Sequence, residues 1–424
     1  EAITNLLAAP IELDRVKLSA NWMAACGEAG EDAAIFATVK AVGMELCPAL
    51  GISIPVGKDS LSMKTTWKDG NTDKKVSSPV SLIVTAFATL ADVRGTFTPQ
   101  LQTTENDTSL ILIDLGKGQN RMAGSILAQT INQFGDRVPD LDDAQDLLNL
   151  VKAISQLRSD NKVLAYHDKS DGGLLATVAE MAFAGHVGVA LNVDMLVNEG
   201  DGITDSRMET GDSKNWASQV SARREELTLK ALFNEELGVV IQVRTKERDA
   251  VMDVLRQNGL SKHSHSIGKV LSKPLKADTA SIQIWRDAKA IFSAPLHDLH
   301  QVWDSVSWKI AKLRDNPACA DSEHQAAGAP ADPGLHLKYI ENQPVAGVNT
   351  AYTAINNIAF PAYTGTRPKV AILREQGVNS HIEMAYCFTE AGFDAYDVHM
   401  TDMQMGRANL KDFVGVVACG GFSY

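Results

Sequence analysis

The strongest structural signal in this chain is the stretch Tyr166-His167-Asp168-Lys169-Ser170-Asp171-Gly172-Gly173-Leu174-Leu175. It follows the apolar run Val163-Leu164-Ala165, which has the composition of a buried strand. It leads into residues 176–184, where Val178, Met181 and Ala182 recur at helical spacing. The sequence therefore predicts a strand, an acidic glycine-rich turn and a helix.

The turn offers the groups that a magnesium–phosphate ligand needs. Asp168 and Asp171 supply carboxylates for a hard cation, and Ser170 supplies a hydroxyl. Glycines let backbone N–H groups approach an anion, and a helix N-terminus adds partial positive charge. Ser and Asp before an apolar run are also ordinary helix caps, so the turn alone leaves both interpretations open.

Composition bounds the class of protein. At about 100–200 residues per domain, a chain of this length holds two to four domains, and 45% apolar with 22% charged residues is typical of soluble globular proteins. A net charge of −12 argues against a general nucleic-acid binder, which needs clustered Lys and Arg. It leaves small anionic ligands open, because a bound divalent cation reverses the local sign.

Cysteine usage and hydropathy indicate a cytoplasmic protein. The five cysteines are scattered and lack Cys-x-x-Cys spacing, which fits a reducing compartment without a zinc or disulfide framework. No run approaches the roughly 18 uninterrupted apolar residues of a membrane span, and no secretory signal is visible. The chain opens without Met and stops in a Gly-rich turn, so we expect an internal piece of a longer polypeptide.

Residues 1–95 are predicted to form a first domain. Glu1 and Asn5 lie four apart on an opening helix, so both project from one face and can share a Mg²⁺ ion, although such pairs are also common on solvated faces. The stretch from Gly57 to Lys64 is predicted as a turn, and Lys58 and Ser60 either hold a phosphate there or end a solvated hairpin.

Residues 96–295 are predicted to form an α/β domain. Ile267–Val270 is predicted as its last core strand, and the polar residues 197–224 as a surface insertion. Residues 296–366 are predicted to form a connector, in which an amphipathic helix around Leu299–Leu313 precedes a polar stretch of linker composition.

From residue 367 a strand–helix–strand order predicts a parallel, doubly wound sheet, residues 367–424. Function in such sheets lies outside the carboxyl ends of the strands. Gln376-Gly377 and Gly420-Gly421 both fall there.

Taken together, these pieces resemble the large single-chain formylglycinamide ribonucleotide amidotransferases (phosphoribosylformylglycinamidine synthases) of purine biosynthesis. The resemblance covers nearly the whole chain outside 197–224. It is carried by Glu1-Ala2-x-Thr4-Asn5, Leu18-Ser19-Ala20-Asn21-Trp22-Met23-Ala24-Ala25, Pro55-Val56-Gly57-Lys58-Asp59-Ser60, the Tyr166–Gly173 stretch, Phe233-Asn234-Glu235-Glu236-Leu237-Gly238, Leu373-Arg374-Glu375-Gln376-Gly377-Val378-Asn379 and Cys419-Gly420-Gly421-Phe422-Ser423-Tyr424.

The resemblance implies a multidomain α/β and α+β fold. A second aminoimidazole-ribonucleotide-synthetase-like repeat, with an A-type domain at 1–95 and a B-type domain at 96–295, would precede the first strands of a class I glutamine amidotransferase domain. By resemblance, Glu1, Asn5 and Asp168 match Mg²⁺ ligands, and Ser170 matches a residue that contacts ATP or ADP. Gly420 and Gly421 match the glutaminase oxyanion loop.

The implied reaction joins formylglycinamide ribonucleotide, glutamine and ATP, with no nucleic acid or membrane partner. The resemblance implies that the reacting ATP lies mainly on a first repeat, which we expect to be missing from this sequence, so this repeat's nucleotide is expected to be structural. The glutaminase Cys, His and Glu are expected beyond Tyr424, and the isolated fragment is expected to bind nucleotide weakly and to be inactive. Cys419 ends a strand and is expected not to substitute for the nucleophile.

Two alternatives remain at this point. One is another ATP-using synthetase of the same superfold, such as aminoimidazole ribonucleotide synthetase, which has no attached glutaminase. The other is a nucleotide-loaded structural scaffold that performs no chemistry itself. The second is compatible with the amidotransferase, because it describes the local role of these residues.

Overall fold

The computed structural model describes residues 1–105, 107–135, 137–198, 216–271, 280–330, 367–375 and 377–420, with backbone alone at 198 and 216–222. The chain divides into two units, Glu1–Gly334 and Leu335–Tyr424. The four-part division expected from the sequence stays a prediction.

The first unit contains two sheets, a separate hairpin and a set of covering helices. Its strands are β1 (Lys17–Met23), β2 (Ser53–Ser60), β3 (Lys64–Asp69), β4 (Thr72–Ser77), β5 (Ser81–Phe87), β6 (Thr108–Asp114), β7 (Val163–Lys169), β8 (Val189–Asn192), β9 (Gly238–Arg244), β10 (Ser264–Val270), β11 (Ser281–Arg286) and β12 (Lys289–Pro295). Its helices are α1 (Ala2–Leu6), α2 (Glu31–Val39), α3 (Cys47–Leu50), α4 (Ile126–Thr130), α5 (Ala144–Ser159), α6 (Gly173–Gly185), α7 (Asp194–Asn198), α8 (Trp216–Phe233), α9 (Arg248–Gln257), α10 (Leu296–Arg314) and α11 (Pro317–Ala327).

The smaller sheet has the order β2-β1-β5, with β1 parallel to β2 and antiparallel to β5. The stretch predicted as a phosphate turn instead runs through β2 to Ser60, because Lys58 pairs with Asn21 and Ser60 with Met23. Gly57 permits this pairing, since a Cβ there would lie 2.1 Å from the Ala20 carbonyl oxygen. The prediction of a turn at Lys58 and Ser60 was therefore wrong.

The larger sheet has the order β12-β11-β8-β10-β6-β9-β7. Strand β9 runs antiparallel to both β6 and β7, so β6 and β7 are parallel and end at the same edge. All seven residues of β6 are buried, because both faces of the sheet are covered. Ile111 and Ile113 join the core with α5, α9 and the smaller sheet, whereas Leu110 and Leu112 join the core with α6.

The sheet does not end at β10, so the prediction that Ile267–Val270 is the last core strand was wrong. The hairpin β11–β12 extends it, with β11 parallel to β8 and Ile282 opposite Val189. Ile282 and Ile284 alternate with half-buried polar side chains, which is a strand pattern that a continuous-run criterion overlooks.

Two segments predicted as loop or linker contain helix. Helix α8 begins at Trp216, inside the predicted insertion 197–224, and most of that insertion lies outside the described residues. In the predicted connector 296–366, α10 confirms the amphipathic helix expected around Leu299–Leu313, whereas α11 lies in a stretch that was expected to be linker. Asn316 caps α11 by accepting hydrogen bonds from the N–H groups of Ala318 and Cys319.

The run from Glu31 to Leu50 is continuously helical, with a π-helical segment, Lys40–Leu46, between α2 and α3. Among the described helices, this run has the length and mean hydropathy, 1.5, of a candidate membrane span. Length and composition alone are weak evidence for a membrane segment. One face of the run carries Val42, Leu46 and Leu50 against the core.

The second unit forms a three-stranded parallel sheet of order β14-β13-β15. Its elements are β13 (Lys369–Arg374), α12 (His381–Glu390), β14 (Asp394–His399), α13 (Met400–Gln404) and β15 (Gly415–Ala418). The parallel strand–helix–strand order predicted from residue 367 is therefore confirmed. Each of the two predicted edge loops is described in part, because Gln376 of the first loop and Gly421 of the second lie outside the described residues.

Candidate functional site

A cavity of about 690 Å³ opens between the smaller sheet, helix α1 and the end of β7. All four candidate ligand-binding residues, Glu1, Asn5, Asp168 and Ser170, line it. The rest of the lining is mostly apolar and includes Leu18, Leu46, Leu50 and Val84. We refer to this cavity as the Glu1–Asp168 cavity. A mostly apolar lining with a few polar groups is a feature of small-ligand sites.

Helix α1 is held at the cavity by the strand that carries Asp168. The buried Tyr166 hydroxyl donates to the Thr4 carbonyl oxygen at 2.5 Å. Arg158 donates to the Leu7 and Ala8 carbonyl oxygens at the end of the helix, and its guanidinium lies 3.9 Å from the Phe97 ring centroid. A five-residue helix is marginal alone, so these contacts fix its position.

Asp168 accepts hydrogen bonds from two side chains. Asn5 Nδ2 lies 3.2 Å and His167 Nδ1 lies 3.3 Å from Asp168 Oδ1. Burial would raise the pKa of Asp168, but the bonds from His167 and Asn5 outweigh it and hold the pKa below its usual value. Asp168 is therefore an ionised, oriented carboxylate at neutral pH.

Glu1 lies in acidic surroundings. Burial raises the pKa of the Glu1 carboxyl most; the N-terminal ammonium lowers it, and the nearby carboxylates Asp171, Asp168 and Glu235 raise it. Such a group of like charges favours a cation, which would relieve their repulsion. In the described parts of the chain, no three His, Cys, Asp or Glu side chains are grouped to hold a metal. A cation here would therefore depend on the Asn5 amide oxygen with Glu1 and Asp168.

The predicted turn after Ala165 begins later than expected, because β7 continues to Lys169 and only residues 170–172 separate it from α6. Gly172 has φ of +81°, and a Cβ on Gly173 would lie 2.5 Å from the Asn234 carbonyl oxygen, so both positions require glycine. The Gly172 N–H donates to Glu235 Oε1 at 2.9 Å. We expected this N–H to face a bound phosphate, but it donates to the Glu235 carboxylate instead. Ser170 is therefore the candidate phosphate contact at the cavity.

Lys169 faces away from the cavity and holds the same edge of the sheet together. Its ammonium donates to Asp114 Oδ1 at 3.1 Å and to Asn234 Oδ1 at 2.8 Å. Burial would raise the pKa of Asp114, but the Lys169 charge and the Gly118 N–H outweigh it and lower the pKa. Sequence analysis missed this pair, because nothing local indicates that residues 114 and 169 are neighbours.

His167 links Asp168 to a further carboxylate. Its Nε2 lies 2.9 Å from Glu180 Oε2, and Glu180 Oε1 accepts from Trp303 Nε1 at 2.9 Å. Burial lowers the pKa of His167, but its hydrogen bonds to Asp168 and Glu180 outweigh that effect and raise it to about 9. Sequence analysis did not assign a role to His167, Glu180 or Trp303.

In the second unit, the predicted oxyanion loop is described only at Gly420. This residue has φ of +100°, a backbone conformation that favours glycine, and it follows β15 directly after the half-buried Cys419. Gly421 lies outside the described residues.

Three family models match successive parts of the chain. Residues 1–89 match the FGAR-AT PurM_N-like domain, residues 109–278 the C-terminal domain of AIR synthase related proteins, and residues 367–424 the CobB/CobQ-like glutamine amidotransferase domain. In this order the matches support a chain like a formylglycinamide ribonucleotide amidotransferase. They bear out the predicted synthetase-like fold followed by the start of a glutaminase-type domain.

Solved structures are similar at low identity. PurLQS from Thermotoga maritima is 10% identical with a TM-score of 0.41, over 69% of this chain and 39% of that chain. E. coli HypE, a hydrogenase maturation protein, is 20% identical with a TM-score of 0.41, over 67% of this chain and 74% of that one. The match thus spans about two-fifths of the Thermotoga protein.

Proposed function

We propose that this chain is part of an ATP-dependent amidotransferase that converts formylglycinamide ribonucleotide and glutamine to formylglycinamidine ribonucleotide. The order of the three domain matches supports the proposal. In this reaction a glutaminase releases ammonia through a thioester, and the synthetase phosphorylates the substrate amide oxygen so that ammonia displaces phosphate. An aminoimidazole ribonucleotide synthetase is the less favoured alternative, because the match over residues 367–424 adds a glutaminase-type domain.

Within that enzyme, the Glu1–Asp168 cavity would hold a magnesium–nucleotide in a structural role. One observation carries this proposal: side chains from α1 and from the end of β7, 163 positions apart for Asn5 and Asp168, line one cavity of about 690 Å³. Small-molecule sites commonly measure about 300–1,000 Å³. The apolar part of the lining would suit a nucleobase.

Each polar residue has a distinct proposed role. Glu1 and Asp168 would supply carboxylate oxygens and Asn5 its amide oxygen to Mg²⁺, since hard cations prefer oxygen ligands. Ser170 would donate its hydroxyl to a phosphate oxygen. The magnesium ion would neutralise the polyphosphate beside these carboxylates. In the second unit, Gly420 and Gly421 would contribute backbone N–H groups to the glutaminase oxyanion hole.

The test is calorimetric titration of Mg-ADP into the full-length amidotransferase after removal of bound nucleotide with a chelator. Asp168→Asn removes a proposed carboxylate ligand and should weaken Mg-dependent binding by about tenfold or more, at least the effect of losing a group that orients a ligand. Asp160→Asn, the same change at the exposed C-cap of α5, should leave affinity unchanged. Equal affinity of wild type and Asp168→Asn, or binding that does not need Mg²⁺, would contradict the proposal.

A further inference from the structure

Four side chains form a continuous series from the cavity to the surface of the first unit. Asp168 contacts His167, His167 contacts Glu180, and Glu180 accepts from the Trp303 indole, with separations of 3.3, 2.9 and 2.9 Å. Three elements contribute to it, because Glu180 lies on α6 and Trp303 on α10. We refer to it as the Asp168–Trp303 series.

The inner end of the series restricts the Asp168 carboxylate. In the described chain, both side-chain hydrogen bonds that Asp168 accepts, from Asn5 and His167, end on Oδ1. Oδ2 is therefore the oxygen to which no side chain of the described residues donates. His167 is itself held by Glu180, so the orientation of Asp168 depends on a residue that does not line the cavity.

The outer end of the series attaches helix α10 to α6. Besides the bond from Trp303 to Glu180, the His300 ring stacks on Phe183 of α6 with centroids 4.6 Å apart. Trp303 lies 5.9 Å from the His300 ring, so both contacts belong to one cluster. The same residue, Glu180, thus serves the cavity on one side and the α10 contact on the other.

We propose that His167 and Glu180 are positioning residues that orient Asp168 for its ligand and connect that carboxylate to α10 through Trp303. This inference rests on the proposed function of the cavity. Partners of metal ligands outside the coordination sphere typically change metal affinity by about 10–100-fold when removed. Binding at Asp168 fixes the series, so it also strengthens the attachment of α10.

The test measures Mg-ADP affinity of the full-length protein by calorimetry for Glu180→Ala and Glu180→Gln. Glu180→Ala should weaken binding about tenfold. Gln retains an oxygen that accepts from Trp303 and an N–H that donates to His167 Nε2, which leaves the His167 Nδ1–H to donate to Asp168. Glu180→Gln should therefore bind within about threefold of wild type, a rescue that a role through the negative charge of Glu180 does not predict.

Helix α10 offers a second readout and a matched control. Hydrogen exchange in residues 296–314 should slow when Mg-ADP is added to wild type and should not respond in Glu180→Ala or Trp303→Phe. Trp308→Phe removes the same indole N–H from the same helix, but its partner is Asp321 of α11, at 2.8 Å. Exchange in Trp308→Phe should respond to Mg-ADP as in wild type.

The outcomes separate the two proposals. If Asp168→Asn loses affinity while Glu180→Ala binds as wild type, the positioning role is overturned and the cavity's function stands. Equal losses in Glu180→Ala and Glu180→Gln, both folded by circular dichroism, would also overturn it. If wild type does not bind Mg-ADP, both proposals fail.

Discussion

Replacing Lys169 with Met should destabilise the first unit by about 3–5 kcal/mol at pH 7, the range for removing one partner of a buried ion pair. The Lys169 and Asp114 side chains are only 1% and 7% exposed, and the ammonium also donates to Asn234. Met has similar length and no charge, so the substitution changes packing little. Its main effect is to leave the Asp114 carboxylate buried without its cation.

The loss should depend on pH in a defined direction. In wild type the pKa of Asp114 is lowered below 3.8, because Lys169 and the Gly118 N–H outweigh burial. A carboxyl with a lowered folded pKa contributes stability above its unfolded pKa and loses it as pH falls through the folded pKa. Without Lys169, burial should raise the pKa of Asp114, so that Asp114 becomes protonated, and loses its buried charge, at a higher pH than in wild type. The difference between wild type and Lys169→Met should therefore shrink between pH 7 and pH 5.

The assay is urea unfolding followed by tryptophan fluorescence. All six tryptophans lie in the first unit, so the signal reports on that unit alone. The matched control is Lys169→Met combined with Asp114→Asn, which removes both charges and should be less destabilised than the sum of the single variants. A loss below about 1 kcal/mol, or the same loss at both pH values, would refute the reasoning, because a broken buried pair costs more than that.

Two further predictions concern His167 and Cys419. Because the pKa of His167 is raised from 6.5 to about 9, its contribution to stability is full below pH 6.5 and is lost as pH rises through 9. In urea unfolding between pH 6.5 and 9.5, wild type should lose about 2 kcal/mol more stability than His167→Gln, after discounting for solvent screening. Parallel stability profiles of the two proteins would contradict the assigned pKa. Cys419→Ser should leave the glutaminase activity proposed for the full-length protein intact, and a loss beyond about a hundredfold would identify Cys419 as the nucleophile.

Local patterns predicted the residues of the cavity because each signal lies within a few positions. Asp168 lies near the end of β7 and Ser170 between that strand and α6, and Glu1 and Asn5 lie four positions apart at the opening helix. The structure brings all four to one cavity, whereas their roles toward magnesium and nucleotide stay a prediction. The resemblance supplied their pairing, since no local rule relates positions 1 and 168.

The missed features depend on tertiary topology. Lys169 meets Asp114 only because β9 lies between β6 and β7, and Glu180 meets Trp303 only because α10 packs on α6. Composition led to two wrong predictions. The stretch around Pro317 was predicted as linker, although Pro317 opens α11, and the stretch around Lys58 was predicted as a turn, although Lys58 pairs with Asn21 in a strand. In both cases the capping or pairing partner decided the structure.

The alternation of Asp168 and Lys169 on one strand makes misalignment of β7 costly in two ways. Asp168 points to the acidic cavity and Lys169 to Asp114, so a one-residue slip would exchange an anion and a cation. The lysine would then occupy the place intended for a metal, and two carboxylates would be buried together without a counterion. The alternating charges on β7 therefore favour one strand register over its one-residue neighbours. Single-residue insertions between the bulge at Val163–Ala165 and Lys169 should abolish folding and ligand binding together.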